Sequence, residues 1–261
     1  MGSALRPYRE LAAVPAPEAV GAETMTGYRV RAKLVASGGR LGLFARGGHE
    51  LVDVPECIVL SPNLRDVAQG LRGALPPEVT ALDLRDSDSG VLVTLIARRG
   101  ASKTRLTAFA EGLCERLPLI AGVALGFRDP DSPQLLGDEP ELVAGVAALP
   151  HHFDPAAPWH YAAHGAFTQV HPDQTRKLHQ AVEQRLERTL GGLRGRRILE
   201  LHGGAGLLAM RLSAREARVT LVEAFAPASE RAAQAARDQG LSLTTITGDA
   251  SDLCEKLIAK G

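Results

Sequence analysis

The sequence has little cysteine, and the three cysteines among its 261 residues lie far apart. Cys57, Cys114 and Cys254 form no CxxC pair, so the chain offers no cysteine-pair metal site. An odd number of separated cysteines is typical of reduced thiols in a cytosolic protein. The cysteine content therefore predicts a cytoplasmic location.

Long hydrophobic runs are also missing. No apolar segment approaches the roughly 18 residues that a membrane-spanning helix requires, and Arg6, Arg9 and Glu10 interrupt the place of a signal-peptide core. An excess of charge is absent too, because 30 basic residues balance 30 acidic ones. Any nucleic-acid-binding surface must therefore be local, and no membrane partner is expected.

The N-terminal half of the chain contains more β-prone segments than helical ones. Residues 1–27 are rich in Ala, Pro and Glu and are predicted to be a leader or linker. Residues 28–150 alternate short strands with two amphipathic helices, which predicts an α+β domain. Residues 149–164 are predicted to be irregular, because three prolines interrupt them.

The C-terminal half is organised around residues 197–223, RILELHGGAGLLAMRLSAREARVTLVE. This segment is typical of a strand, a glycine turn, a helix and a second strand that ends in Glu223. A further helix, strand and helix follow, which predicts a parallel Rossmann-like α/β fold. The first strand would lie at an edge, so residues 151–261 are expected to be an incomplete domain with its first three strands.

The glycine turn fits two cofactors. Gly204, Gly206 and Ala209 match the GxGxxG/A dinucleotide fingerprint, and Glu223 follows about 20 residues after the first glycine, where an acid can bind ribose. The segment from Glu200 to Gly206 also matches the ExxxGxG motif of class I S-adenosylmethionine (AdoMet) methyltransferases. Gly-Asp-Ala at 248–250 follows the third strand, where those enzymes hold adenine. The motifs favour AdoMet over NAD, with a purely structural turn as the remaining interpretation.

Taken together, separated motifs of the chain resemble the AdoMet-dependent RNA uracil-5-methyltransferases, which make 5-methyluridine in transfer and ribosomal RNA. The motifs are GYRVRAKLVA, GRLGLFARGGHELVDVPECIVLSP, FTQVHPDQ, ILELHGGAG, VTLVE and GDA, in the family's order. The resemblance implies a class I methyltransferase Rossmann-like domain preceded by a central RNA-contacting α+β domain. It also implies transfer of a methyl group from AdoMet to C5 of a uridine in rRNA or tRNA. The alternatives are a non-catalytic RNA- or cofactor-binding module and an NAD-dependent oxidoreductase.

The resemblance assigns cofactor binding to seven residues. Gln169 matches the family's cofactor-binding Gln, and His202 takes the place of an aromatic residue. Glu223 matches the acid on the ribose hydroxyls, and Asp249 the polar group beside adenine. Glu200 either binds the methionine amino group or ends a strand. The implied set is Gln169, Glu200, His202, Gly204, Gly206, Glu223 and Asp249.

The resemblance also implies an RNA-contacting surface on the first basic segment. Between residues 28 and 46 there are five basic residues and no acid, a pattern that suits an RNA backbone or a solvated strand face. The implied RNA-binding residues are Arg29, Arg31, Lys33 and Arg46.

No catalytic residue is expected within the chain. The family's DPP-type motif, nucleophilic Cys and Glu base all lie beyond the position that matches Gly261, so the chain alone is expected to be inactive. A histidine-rich segment interrupted by prolines fits no standard metal spacing, so no metal site is predicted. Its members are His151, His152, Asp154, His160 and His164.

Overall fold

The computed structural model describes residues 19–129, 132 and 135–259, with side chains described as far as Cys254. Residues 1–18 of the predicted leader and the last two residues of the predicted C-terminal helix lie outside the described residues. None of the described helices is long and apolar enough to cross a membrane.

The N-terminal part of the chain folds as one mixed sheet with two helices, which confirms the α+β prediction. The strands are β1 (Arg31–Ser37), β2 (Arg40–Phe44), β3 (Leu51–Asp53), β4 (Val79–Ser87), β5 (Gly90–Arg98), β6 (Ile120–Arg128) and β7 (Glu141–Gly145). The helices are α1 (Pro62–Leu71) and α2 (Lys103–Arg116). The strand order is β3-β2-β1-β4-β5-β6-β7. Strands β5 and β6 pair in parallel because α2 connects them, and the other neighbours pair antiparallel.

One face of this sheet carries the hydrophobic core. Leu82, Leu84, Val93 and Leu95 alternate along the two central strands and are fully buried. Helices α1 and α2 contribute buried leucines to the same cluster. The period of two in β4 and β5 thus directs every second side chain into the core and leaves the others on the opposite face.

A two-stranded hairpin follows the sheet, made of β8 (Ala148–His151) and β9 (His160–Ala163). The prediction of an irregular segment here is wrong. Pro150 lies in β8, an edge strand of a two-stranded sheet, where a missing N–H does not break a central ladder. Pro155 and Pro158 lie in the loop between the strands. The hairpin contacts β4 and covers part of the second face of the large sheet.

The C-terminal part has the predicted Rossmann-like order of elements. Its elements are α3 (Pro172–Leu190), β10 (Arg197–Leu201), α4 (Leu207–Ser213), β11 (Arg218–Glu223), α5 (Ala226–Asp238), β12 (Leu243–Thr247) and α6 (Ala250–Ala259). The three strands are parallel in the order β10-β11-β12. Within the described residues β10 therefore lies at one edge of the sheet, as predicted. Helix α5 packs against β9, so the hairpin lies between the two sheets.

The second face of the large sheet is polar and buried beneath this hairpin. Asp83 is 1% exposed and accepts hydrogen bonds from Arg31 Nε at 2.9 Å and from Arg85 Nε at 3.0 Å. Thr94 Oγ1 lies 2.9 Å from His164 Nδ1 on the chain segment that follows β9. Arg31, which alternates with apolar residues in the sequence, therefore forms a buried ion pair with Asp83.

The segment before β1 lies across the start of α3. Val30 N donates a hydrogen bond to Val170 O at 3.0 Å, and Lys177 Nζ donates to Gly21 O at 2.9 Å. The ring of Tyr28 stacks on that of His171 with centroids 4.1 Å apart. These contacts hold the FTQVHP segment against the N-terminal sheet.

Candidate functional site

The glycine turn between β10 and α4 takes a backbone conformation that few residue types adopt. Gly204 and Gly206 have φ values of 57° and 75°, and His202 also has a positive φ of 57°. A non-glycine residue in the left-handed region is strained, and such residues occur often at ligand-binding sites. The turn therefore has the shape that the sequence predicts.

The glycines in this turn serve different purposes. A Cβ at Gly203 would lie 2.6 Å from Leu221 Cδ1, and one at Gly206 would lie 2.8 Å from Ala232 Cβ. These two glycines are required for close packing against β11 and α5. A Cβ at Gly204 would meet nothing closer than Phe167 O at 3.7 Å. The space beside Gly204 is therefore open to a ligand.

Glu223 at the end of β11 is fixed against the turn. Its Oε2 accepts a hydrogen bond from Gly204 N at 2.8 Å, and its Oε1 accepts one from Phe225 N at 2.9 Å. Each carboxylate oxygen has two lone pairs, so each retains the capacity to accept a second hydrogen bond. The carboxylate is thus oriented while it remains able to bind hydroxyl groups.

An open pocket of about 220 Å³ lies beside the turn. Four of the seven implied cofactor-binding residues line it, namely Gln169, Glu200, His202 and Gly204. The other three do not line it. Gly206 lies beneath the turn, Glu223 holds the turn from the β11 side, and Asp249 Oδ1 accepts a hydrogen bond from Ser251 N at 2.7 Å at the start of α6. That bond lowers the pKa of Asp249.

Glu200 is the acid that faces the pocket. Burial raises the pKa of Glu200 to about 7, against a smaller opposing effect of the Ala209 backbone N–H. Its Oε2 is buried and has no hydrogen-bond partner among the residues that the structure describes. A buried carboxylate oxygen without a partner is costly, so this atom is suited to a positively charged or hydrogen-bond-donating ligand.

Sequence reasoning assigned no pocket role to four polar residues that line it, which are His160, Thr168, Thr175 and His179. Burial lowers the pKa of His160 to about 3 and that of His179 to about 4, so both imidazoles are neutral at pH 7. His160 comes from β9 in the proline-interrupted segment, where no periodicity indicated a strand. Thr168 could have been found from the sequence, because it directly precedes the predicted cofactor-binding residue Gln169.

The implied RNA-binding residues do not share one exposed face. Arg31 is 7% exposed and its guanidinium binds Asp83, so it is not available to RNA, which corrects the expectation for this residue. Lys33 and Arg46 are exposed, whereas Arg29 is half-buried with its Nε donating to Arg31 O at 3.0 Å.

The histidine-rich segment has other contacts. His152 Nδ1 lies 2.5 Å from Asp88 Oδ2, and Asp154 Oδ2 accepts a hydrogen bond from Arg211 Nη1 at 3.0 Å. Over residues 19–129, 132 and 135–259, no group of three or more His, Cys, Asp or Glu side chains could hold a metal ion.

The fold is shared with a solved methyltransferase. The structure of Pyrococcus abyssi tRNA (uracil-54, C5)-methyltransferase in complex with S-adenosyl-L-homocysteine superposes with a TM-score of 0.68 at 16% identity. The match covers 87% of this chain and 57% of that one. The fold is therefore that of a class I methyltransferase Rossmann-like domain preceded by an α+β domain.

Sequence comparison identifies the relatives more closely. The chain is 31% identical over 267 aligned residues to the 23S rRNA (uracil(1939)-C(5))-methyltransferase RlmD of Halomonas elongata, covering 94% of this chain and 52% of the relative. It is 25% identical over 250 residues to an uncharacterized RNA methyltransferase of Listeria innocua, covering 88% of this chain and 52% of that protein. No protein-family model matches the chain.

The chain is therefore similar to a 23S rRNA uracil-C5-methyltransferase and to a second RNA methyltransferase, which confirms the resemblance drawn from its motifs. It spans about half the length of the curated relatives it matches.

Proposed function

We propose that this chain is the AdoMet-binding and RNA-contacting part of an RNA uracil-C5-methyltransferase. The observation that carries the proposal is the pocket beside the glycine turn, where Glu200 presents a buried oxygen without a partner in the described part of the chain. A turn used only for structure would not need to leave an acid in this state.

The residues present fit AdoMet in chemistry and placement. Glu223 is held by the Gly204 and Phe225 N–H groups with lone pairs free for two ribose hydroxyls. Asp249 lies after β12, one strand further along the sheet, and is assigned to the adenine side. Glu200 and Gln169 line the pocket and are assigned to the methionine side. AdoMet would supply an electrophilic methyl group on a sulfonium, and the residues of this chain bind and orient it.

The RNA-contacting surface is assigned to exposed basic residues at the start of the large sheet. Lys33 and Arg46 reach solvent, and Arg29 lies partly exposed beside them in sequence. Contacts of Lys and Arg with phosphates position a protein on RNA without specifying sequence. We assign no catalytic residue to this chain. A cytoplasmic location is also proposed, since Cys57, Cys114 and Cys254 are free cysteines.

Thermal-shift titration of the 261-residue protein tests the cofactor assignment. A ligand that binds the folded state raises Tm in proportion to the logarithm of its concentration above Kd. S-adenosylhomocysteine is expected to raise Tm, and NADH at equal concentration is expected to leave it unchanged. Stabilisation by NADH alone would overturn the proposal in favour of a dinucleotide site.

Binding to a structured rRNA fragment, followed by fluorescence anisotropy, tests the RNA assignment separately. The affinity is expected to fall as salt rises, because phosphate contacts release counterions. An affinity that does not depend on salt would count against the RNA-contacting surface.

A further inference from the structure

We propose that a cavity at the end of the large sheet where β1 finishes and β2 begins is a phosphate-binding site, in which Arg40 and Arg98 hold one phosphate group between them. The cavity has a volume of about 340 Å³ and lies between the β1–β2 turn, the loop from α1 to β4 and the end of β5. It shares no lining residue with the pocket beside the glycine turn. The inference therefore goes beyond the proposed function.

The strand order brings the two arginines to the same end of the sheet. Neighbouring strands run in the order β2-β1-β4-β5, and Arg40 begins β2 whereas Arg98 ends β5. Because β2 and β5 are three strand spacings apart, the two backbones are separated by about 14 Å. Both side chains line the cavity between them, so a ligand in the cavity lies between two guanidinium groups.

Both of these guanidinium groups are free of partners. Neither Arg40 nor Arg98 forms a side-chain hydrogen bond or an ion pair with any residue that the structure describes. Arg99, the next residue in the chain, instead donates to Asp129 at 2.7 Å and to Asp138 at 2.8 Å. None of the described residues that line the cavity is acidic. The cavity therefore carries two positive charges without a counter-charge, an arrangement that attracts an anion.

The walls of the cavity are joined and partly apolar. Gly73 N donates a hydrogen bond to Gly39 O at 3.1 Å, which connects the loop after α1 to the β1–β2 turn. The buried Val79 and the adjacent Pro76 and Pro77 line the cavity with apolar groups. Charges attract each other more strongly where apolar groups replace water beside them.

A phosphate group matches the donors around this cavity. Arginine binds phosphate through two parallel N–H groups, and these charge-assisted hydrogen bonds are stronger than neutral ones. The turn residues Gly38 and Gly39 also line the cavity, and their backbone N–H groups donate no hydrogen bond within the described residues. A phosphate has more oxygens than a carboxylate, so it can accept from both arginines and from the turn. An RNA backbone and free inorganic phosphate both supply this group.

The first measurement tests RNA as the source. Fluorescence anisotropy with a labelled, structured rRNA fragment gives the affinity of the full chain, of Arg40→Gln, of Arg98→Gln and of the double variant over a range of salt concentrations. If an RNA phosphate occupies the cavity, each single variant is expected to weaken binding about fivefold, and the double variant to reduce the salt slope by about one. Because both arginines hold one phosphate, the double variant is expected to weaken binding by less than the product of the single effects.

The second measurement tests free phosphate as the source. It is the rise in Tm on adding sodium phosphate, relative to sodium chloride at equal ionic strength. If inorganic phosphate is the ligand, this rise is expected in the unmodified chain and is lost in Arg98→Gln, while the RNA affinity of the variant stays unchanged. Either result supports the phosphate site, and the two results assign different sources to the phosphate.

Arg99→Gln is the matched control. Arg99 is adjacent to Arg98 in the chain, does not line the cavity and already binds two carboxylates. It is expected to leave RNA affinity and the response to phosphate within twofold of the unmodified chain. Arg40 and Arg98 are exposed, so their variants are expected to keep the Tm that the unmodified chain has without ligand.

Two results would overturn the inference. One is a double variant that matches Arg99→Gln in both RNA affinity and phosphate response. The other is multiplication of the two single effects with a loss of about two in the salt slope, which would show two independent surface contacts. Binding of S-adenosylhomocysteine is expected to be unchanged in every variant, so failure of this inference leaves the cofactor assignment standing.

Discussion

Two buried carboxylates of this molecule differ in their hydrogen bonding. Asp83, on the buried polar face of the large sheet, lies between Arg31 and Arg85 and accepts hydrogen bonds from both. Glu200, at the end of β10, has an oxygen without a partner in the part of the chain that the structure describes. The Asp83 carboxylate is therefore paired within the fold, although Arg85 Nη1 beside it has no partner among the described residues, whereas the Glu200 carboxylate is arranged for a ligand.

The position of each acid in its sheet explains the difference. Asp83 lies in the middle of β4, with β1 and β5 on either side and Arg31 on the adjoining strand. Glu200 lies near the carboxyl end of a parallel strand, beside the glycine turn. Ligands of open α/β sheets bind outside the carboxyl ends of the strands, so a vacant acceptor is expected at the second position and not at the first.

The largest effect is expected from breaking the Asp83 pair. Asp83→Asn leaves two buried guanidinium groups without a counter-charge and is expected to lower the free energy of unfolding by about 3–5 kcal/mol. Urea unfolding at pH 7 measures this loss. The control is Asp53→Asn, which removes a more exposed partner of Arg72 and is expected to have a far smaller effect. Equal losses in the two variants would show that the Asp83 cluster is not a structural centre.

The second effect concerns the pH dependence of stability at Glu200. Its folded pKa of about 7 lies above the ordinary value of 4.5 for a glutamate, so the folded state holds a proton that the unfolded state releases. Stability is therefore lost as pH rises from about 4.5 to about 7, by on the order of 3 kcal/mol. Glu200→Gln is expected to remove this loss, so the variant gains stability relative to the unmodified chain as pH rises. Parallel pH profiles for the two proteins would contradict the assigned burial.

The third effect is on cofactor affinity. Glu200→Gln keeps the shape of the side chain and removes its charge, so we expect S-adenosylhomocysteine to bind at least about tenfold more weakly, measured by isothermal titration. Glu187→Gln is the control, because Glu187 pairs with Arg215 away from the pocket. Unchanged affinity in Glu200→Gln would remove Glu200 from the cofactor site.

The smallest effect is expected at the basic surface. Lys33→Ala and Arg46→Ala are each expected to weaken RNA binding a few-fold and to reduce the salt slope by about one. Arg31→Ala is instead expected to destabilise the fold, because it removes a partner of Asp83. Arg194→Ala, an exposed arginine that pairs with Glu216, is the control. A loss of RNA affinity in Arg31→Ala without a loss of stability would reverse the correction made for this residue.

Local structure could be predicted from the sequence, but the elements that pack on each face of a sheet could not. The glycine turn, the parallel order of β10 to β12 and the acid at the end of β11 follow from local spacing and residue type. The burial of Arg31 does not, because alternation identifies a strand face without showing what covers it. The β8–β9 hairpin covers this face of the sheet. Its prolines led to the prediction of an irregular segment. His160 lines the pocket from that hairpin, so its position there could not be predicted either.

A crystal structure of the chain with S-adenosylhomocysteine tests the central claim most directly. We expect the ribose hydroxyls on Glu223 and the amino-acid end in the pocket, with its ammonium within hydrogen-bond distance of Glu200. A ligand bound with its amino-acid end in solvent and the Glu200 oxygen still unpaired would contradict the claim that this pocket is arranged for the cofactor.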